Sequence, residues 1–420
     1  MKRAAAASTL AASTGLAGCA ASGSQDQEGG KRTSMATIAN LSNSYWLSWV
    51  KGYREAAEAL GYAKNVQTNG GVVSTQIQQF DTAIASNTDA IVGQTYTNAA
   101  AIILSEACVE AGIPTILAGT IANWYTPQDA GEEYVQFFAP HFVEHAYTAA
   151  KVLFEEMGGE GGFVHIEGNR GTAPNAGRNI GVEKAMKEYP DIELLGPRLQ
   201  GNWVRTDSRD GMSDLVSKHG SEIDGYFGQN DAVAIGGLTI LEENGIDVPV
   251  VGIDAGEPAL RLIEQGRMAC SVSGMGPWQG GWSMAKVHDY IQGHRMQPAE
   301  RMMYFFAPLV VKNPQEWRNR IGSDIRLPII QTKEYEQATF QGPTPYDWKK
   351  MSVAESGADA WDPQIQMGPI RRKNLSGLLA WQKKDKPDWY SLPDVFGNEQ
   401  AMQDVERLYE NHHQMNPIQQ

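Results

Sequence analysis

Residues 35–61 read MATIANLSNSYWLSWVKGYREAAEALG, and the hydrophobic period changes part-way along. MATIANL is a short apolar run of strand type, whereas Trp46, Val50, Tyr53, Ala57 and Leu60 recur at helical spacing until Gly61 stops them. Between the two lies SNSYW, a polar and aromatic connection. Strand, loop and helix in that order make half of a βαβ unit, so the fold depends on whether the pattern continues.

It does. NVQT, STQIQQFDTAIAS, DAIVGQT, NAAAIILSEACVEAG and PTILAGT follow as alternating strand and helix signals up to Thr120. A second series starts near His141: FVEHAYTAAKVLFEEMG, GFVHIEG, a helix through Ile180 and Ala185, IELLGPRL, a helix over Ser208 to Lys218, DGYFGQN, DAVAIGGLTILEENG, VPVVGID and PALRLIEQG. MACSVSG, the helix PWQGGWSMAKVHDYIQG and a strand-like MMYFFAPLVV close it. Alternating strands and helices imply parallel sheets covered on both faces, and the two series imply two doubly wound α/β lobes.

The chain has 420 residues, room for two or three domains. A formal net charge of −14 argues against nucleic acid and against anionic membrane surfaces, both of which need clustered Lys and Arg. At the N-terminus Lys2 and Arg3 precede a short Ala-rich apolar stretch and then Leu16, Ala17, Gly18 and Cys19, the layout of an export signal. LAGC resembles a bacterial lipobox, which makes residues 1–19 a signal ending at a lipidated Cys19; a plain signal peptide or a disordered Ala-rich start is the alternative. Residues 20–33 are too polar to fold and read as a tether. Cys108 and Cys270 sit in apolar patterns and read as separate buried thiols. From Asn313 the periodicity fades, yet five of eleven tryptophans lie beyond it, Trp317, Trp348, Trp361, Trp381 and Trp389, so this part reads as an extension packed on the lobes and ending in a helix around Asn398 to Asn411.

Ligands of doubly wound sheets sit beyond the carboxyl ends of the strands. Those ends carry Asn43, Tyr45 and Trp46; Gln94 and Tyr96; Gly119 to Tyr125; Asn169 to Arg178; Trp203; Gln229 to Asp231; and Asp254. Aromatic plates, amides, one arginine and one carboxylate suit a polyhydroxylated molecule. SNSYWLSWVKGYREAAEALGY, DAIVGQT, AGIPTI, GTAPNAGRNIGVEKAM, YFGQNDAVAIGGL, VVGIDAGEPAL and APLVVKN occur in this order between Ala36 and Asn313. In these seven motifs the chain resembles the bacterial type I periplasmic solute-binding proteins, in particular the ribose-binding-like group that feeds sugar ABC transporters.

The resemblance implies roles. Asn43, Tyr45 and Trp46 offer an amide and ring faces from the N-terminal lobe; Arg178 donates to ring and hydroxyl oxygens; Trp203 stacks from the C-terminal lobe; Asn230 and Asp254 bind adjacent hydroxyls. In YFGQNDAVAIGGL, Asp231 is then expected to cap the following helix, with Gln229 unassigned. Gln94, Trp124, His141 and Met275 are further candidates. Bland readings stand beside these: Trp46 and Trp203 as core, Asn43 and Asp254 as helix caps, Arg178 as a surface ion pair. Two departures bear on ligand identity. Gly119 and Thr120 stand where relatives place an Asp and Arg pair, with Trp124, Tyr125 or the extension as candidates to fill the space, and Gly274 or Met275 stands where relatives often have a Gln.

The expected organisation is 34–139 plus 274–305 as the N-terminal lobe, 140–273 plus 306–312 as the C-terminal lobe, crossings near Ala139, Ser273 and Phe306, and 313–420 as the extension. Catalytic patterns are missing: no GxSxG, HExxH or GxxxxGK[ST] occurs, GGEGG at 158–162 reads as a turn, His412 and His413 lack partner spacing for a metal, and RRK at 371–373 reads as a solvated face. The expectation is a monomeric, lipid-anchored receptor without cofactor, in the periplasm or on the outer face of the cytoplasmic membrane. It would carry a monosaccharide or sugar alcohol to a permease. A sensing subunit for a chemoreceptor or receptor kinase, or less plausibly a sugar-acting enzyme, are the alternatives.

Overall fold

The structure is a computed structural model that describes residues 31–122, 124–357, 366–371 and 391–410. Cys19, Trp361, Trp381, Trp389, His412 and His413 lie outside the described residues. The first series folds as expected: β1 (Arg32–Ile38), α1 (Ser44–Ala59), β2 (Tyr62–Thr68), α2 (Val73–Ala85), β3 (Ala90–Gln94), α3 (Asn98–Glu110) and β4 (Thr115–Ala118) give a parallel sheet of order β2-β1-β3-β4. Strand β1 starts at Arg32, so pairing with Tyr62 and Ala63 takes in the last residues expected in the tether.

After the short α4 (Pro127–Ala130), the chain leaves this sheet through β5 (Phe137–Pro140) and α5 (Phe142–Glu156). The second series follows with β6 (Glu160–Glu167), α6 (Ala173–Met186), β7 (Asp191–Leu194), β8 (Leu199–Gln200), α7 (Arg205–His219), β9 (Gly225–Gly228), α8 (Asp231–Glu243), β10 (Val250–Asp254), α9 (Glu257–Glu264) and β11 (Cys270–Ser273). The chain then returns as α10 (Gly276–Ile291), which packs on α1, and crosses again through β12 (Met302–Phe306) into β13 (Leu309–Val311), antiparallel to β11. Three crossings therefore link the two sheets, and β5 and β12 pair in parallel, Met302 opposite Phe137 through Phe305 opposite Pro140.

The faded periodicity beyond Asn313 hides real elements. These are α11 (Pro314–Ile321), β14 (Ile329–Gln331), α12 (Thr332–Thr339), α13 (Val353–Ser356), β15 (Gln366–Pro369) and α14 (Glu399–Glu410). Strand β14 extends the second sheet to eight strands, in the order β14-β13-β11-β10-β9-β6-β7 with β8 beside β6. Strand β15 joins β12 and β5 in a third sheet. The terminal α14 is the helix expected around Asn398 to Asn411, whereas the other five elements, of three to eight residues, are too short to show a period of their own. Of RRK, Arg372 and Lys373 lie outside the described residues, and for Arg371 the solvated reading is corrected: it is buried and its guanidinium binds the carboxylates of Glu399 and Glu406 on α14. Cys108 and Cys270 are free and buried.

Glycine sets the spacing of α1 and α10. A Cβ on Gly52 would lie 1.8 Å from the Pro277 carbonyl oxygen, and one on Gly280 would lie 2.1 Å from that of Trp49, so the helices meet backbone to backbone. One residue on, Gly281 receives the indole of Trp348, whose nearest ring carbon stands 2.1 Å from where a Cβ would be. Gly281→Ala is expected to destabilise the fold by roughly 1–3 kcal/mol through overpacking, read as a lower urea midpoint at unchanged slope.

Candidate ligand-binding site

The strand ends converge. A cavity of about 260 Å³ lies between the carboxyl ends of β1, β3 and β4 on one side and of β6, β9 and β10 on the other. Asn43, Tyr45, Trp46, Gln94, Arg178, Trp203, Asn230 and Asp254 all line it. Three other candidates do not. Trp124 packs edge-on against Tyr125. Met275 is buried in the core beneath the wall, with a left-handed backbone at φ 49°. His141 caps α5, its Nδ1 accepting from the Glu144 N–H at 3.3 Å, and stacks on Phe306; burial holds its pKa down at about 4, so the ring is neutral at physiological pH.

On the first side, Asn43 accepts the Tyr45 N–H at 2.9 Å, so it caps α1 and faces the cavity at once. The Tyr45 hydroxyl accepts from Gln94 Nε2 at 2.6 Å and from Gln279 Nε2 at 3.0 Å. The Gln279 amide is oriented by the Gly274 carbonyl, to which it also donates, and its oxygen accepts from Gln94 at 3.4 Å. With both lone pairs engaged, the Tyr45 hydroxyl keeps only its proton to offer. Burial raises its pKa, so it stays protonated. The Gln94 amide also occupies the space above Gly119: a Cβ there would lie 2.9 Å from Gln94 Oε1. At Gly119, one of the two positions where relatives place an Asp and Arg pair, the side chain in that space is Gln94.

On the second side, Arg178 is buried on α6. Its Nη1 donates to the Gln229 carbonyl at 2.7 Å, its Nη2 lies 3.9 Å from Asp254, and its guanidinium lies over the Trp203 ring at 5.3 Å. Nε has no partner among the described residues. Trp203 in turn lies flat against Gly168, where a Cβ would meet the indole at 2.0 Å. Asn230, not Asp231, caps α8, accepting the Val233 N–H at 2.9 Å. Asp231 instead accepts from Ser271 Oγ at 2.6 Å and from the Gly256 N–H at 2.7 Å, bracing the turn that carries Asp254. Gln229 is wholly internal: its oxygen accepts from the Gly168 N–H and its nitrogen donates to Asn179.

Burial pushes the Asp254 carboxyl up to about 8, against the pull of Arg178 and with a further push from Asp231. Strain gathers here too. Of the six non-glycine residues with positive φ among those described, Asn202, Trp203, Asp254, Ala255 and Met275 lie at or next to the wall. Among the described residues two hydrogen bonds cross the cleft directly: Asn169 Nδ2 to the Tyr96 hydroxyl at 2.6 Å, and the Ala173 N–H to Asn98 Oδ1 at 3.2 Å.

Sequence reasoning missed Gln279 and Asn69. Gln279 sits inside PWQGGW, read only as helix, and nothing in a helical pattern marks which face meets a cleft. Asn69 had a signal, since it follows NVQT at the end of a strand; it is buried, and its Nδ2 has no partner among the described residues.

Comparisons agree with this architecture. The periplasmic binding protein domain family matches residues 36–295. The chain is 28% identical over 257 residues to a xylitol-binding protein of Mycolicibacterium smegmatis, covering 60% of this chain and 70% of that one. An ABC-transporter periplasmic solute-binding protein of Actinobacillus succinogenes, solved with bound D-allose, superposes with a TM-score of 0.58 at 25% identity, over 64% of this chain and 94% of its own. A twin-arginine translocation pathway signal protein of Burkholderia phytofirmans gives a TM-score of 0.65 at 24% identity, over 70% of this chain and 94% of its own. With well over half of its residues matched, and its cavity lying where two sets of strand ends meet, the chain belongs to the periplasmic binding protein domain family, as a type I solute-binding protein.

Proposed function

We propose that this chain captures one neutral monosaccharide or sugar alcohol between its lobes, extracytoplasmically and as a monomer anchored through Cys19, and hands it to an ABC-transporter permease without chemical change. The observation that carries the reading is the composition of the cavity wall. One arginine, one carboxylate and two tryptophans are interleaved with amides and hydroxyls, which supply donors and acceptors for adjacent hydroxyls and faces for C–H surfaces. The names of relatives, for xylitol and for D-allose, point to the same ligand class.

The lobes supply different groups. The first side offers amides and hydroxyls, and the second holds the Arg178 guanidinium and the Asp254 carboxyl, so a ligand completes its hydrogen bonds only when both sides close on it. Calorimetry against pentoses, hexoses and polyols, xylitol and D-allose included, is expected to give saturable one-to-one binding for at least one. Silence across the panel sinks the ligand class, and appearance of a product after incubation sinks the claim that nothing is turned over. With that ligand in hand, Gln279→Leu is expected to weaken binding roughly 3- to 10-fold, because the Tyr45 hydroxyl loses one of the donors that fix its direction.

A further inference from the structure

The matched family ends at residue 295, so most of the chain beyond it has no counterpart in the receptor reading. Its described parts contact two of the three crossings between the sheets directly, and the third through β12. Strand β15 runs antiparallel to β12 in full register, Met303 opposite Pro369, Tyr304 opposite Gly368, Phe305 opposite Met367 and Phe306 opposite Gln366. The Ile370 N–H adds a bond to the Met302 carbonyl at 2.9 Å. Because β12 itself pairs with β5, two of the three crossing strands become the centre and edge of a three-stranded sheet. The remaining crossing, at Ser273 to Met275, is held from α12: the hydroxyls of Tyr335 and Ser273 are hydrogen-bonded, and Ser273 Oγ accepts the Met275 N–H at 2.9 Å.

The same segment is fastened to both sides. Towards the eight-stranded sheet, β14 pairs with β13 and Thr332 bonds to Glu264 of α9. Towards the four-stranded sheet, Lys51 of α1 donates to the Thr339 carbonyl at 3.1 Å, and Glu55 of α1 accepts from Thr344 and from the Trp348 indole N–H. Ser352 donates to Asp289 of α10 at 2.6 Å. The ion pairs of Arg371 with Glu399 and Glu406 then fix α14 next to β15.

We propose that the C-terminal extension is a hinge brace, which limits how far the lobes open and so holds the empty receptor near its closed arrangement. Rotation about two bare crossing strands costs only changes in a few backbone dihedrals. Here the same rotation has to twist a third hydrogen-bonded strand and shear contacts that one continuous segment makes with both sheets, and packed interfaces resist such deformation. The brace regulates the cleft described above and rests on the two-lobe reading, but it needs no particular ligand.

Its test therefore uses protein freed of small molecules. Spin labels at Q78C on α2 and K187C at the end of α6, in a chain carrying Cys19→Ser, report the separation of the two sides; both positions are exposed, whereas native Cys108 and Cys270 are buried and take no label. Electron–electron distance measurements are expected to give one narrow distribution for the otherwise unaltered chain. Tyr335→Phe removes the bond to Ser273, and Gly368→Val drives a side chain towards the Tyr304 hydroxyl, 2.8 Å from where a Cβ would sit. Each is expected to shift the distribution outward and broaden it, Gly368→Val more. Tyr335→Phe deletes one oxygen and keeps the ring, so it remains informative if Gly368→Val does not fold. A folded Tyr335→Phe protein with the unaltered distribution, whether Gly368→Val matches it or fails to fold, overturns the brace. A wide distribution already present in the unaltered chain overturns it as well. Failure of every sugar in the panel leaves these distances readable, so the two proposals fall separately.

Discussion

Replacing Arg178 by alanine is expected to weaken ligand binding by at least about 30-fold, the equivalent of ~2 kcal/mol. Arg178 is 7% exposed, and its guanidinium performs three tasks at once. It satisfies the Gln229 carbonyl, it faces Asp254, and it lies over the Trp203 ring, which also packs against Gly168. Truncation leaves the Gln229 carbonyl and the Asp254 carboxyl buried without the guanidinium and loosens the indole, so both the polar and the stacking halves of this wall suffer. Its Nε, unpartnered among the described residues, is the donor left for a ligand oxygen. Arg178→Lys is expected to rescue little, because an ammonium cannot serve a carbonyl, a carboxylate and a ring face from one planar fork. Calorimetry with the ligand identified from the panel decides: an affinity within threefold of the unaltered protein removes Arg178 from the site.

Arg178 also shows what was legible beforehand. Its place after a strand and inside a helix start was enough to bring it to the cleft, and the same rule placed Asn43, Tyr45, Trp46, Gln94, Trp203, Asn230 and Asp254 on the wall. The rule works because parallel strands all end on one edge, so position in sequence converts to position in space. It does not distinguish side-chain roles. Asn230 and Asp231 are neighbours with equally good capping chemistry, and only the Gly256 N–H and Ser271, distant in sequence, pull Asp231 into the adjacent turn. His141 failed for a related reason: a residue at a crossing lies beside the hinge strands, and there Tyr304 and Phe306 enclose its ring. Gln279 was invisible because it reaches the cleft from a helix packed by glycines, not from a strand end. The extension was legible only as aromatic content and as its terminal helix, expected around Asn398 to Asn411 and found as α14. Its strand β15 has four residues and depends on β12 for its existence, a pairing partner some sixty residues away that no local pattern reveals.

Asp254→Asn is expected to remove two pH dependences of opposite sign. In the empty cavity burial holds the carboxyl up at about 8, whereas in the unfolded chain it titrates near the usual ~4. Between those values the folded protein retains a proton that the unfolded chain has released, so stability is fully present below pH ~4 and falls as pH rises towards 8, at up to about 1.4 kcal/mol per pH unit. Asp231, also raised by burial, to about 6, adds to the lower part of this slope, but it is common to both proteins and largely cancels in their difference. Urea unfolding from pH 5 to 8 should therefore show the asparagine variant gaining on the unaltered protein as pH rises. Binding runs the other way. A ligand hydroxyl that donates to Asp254 prefers the carboxylate, so affinity should climb from pH 6 to 8 and binding should release a proton, visible as a dependence of the calorimetric heat on buffer ionisation enthalpy. In Asp254→Asn the affinity should be lower at pH 8 and nearly flat with pH. If the unaltered protein binds equally well at pH 6 and pH 8, the carboxylate does not accept a ligand proton, and Asp254 is left with the role of partner to Arg178 alone.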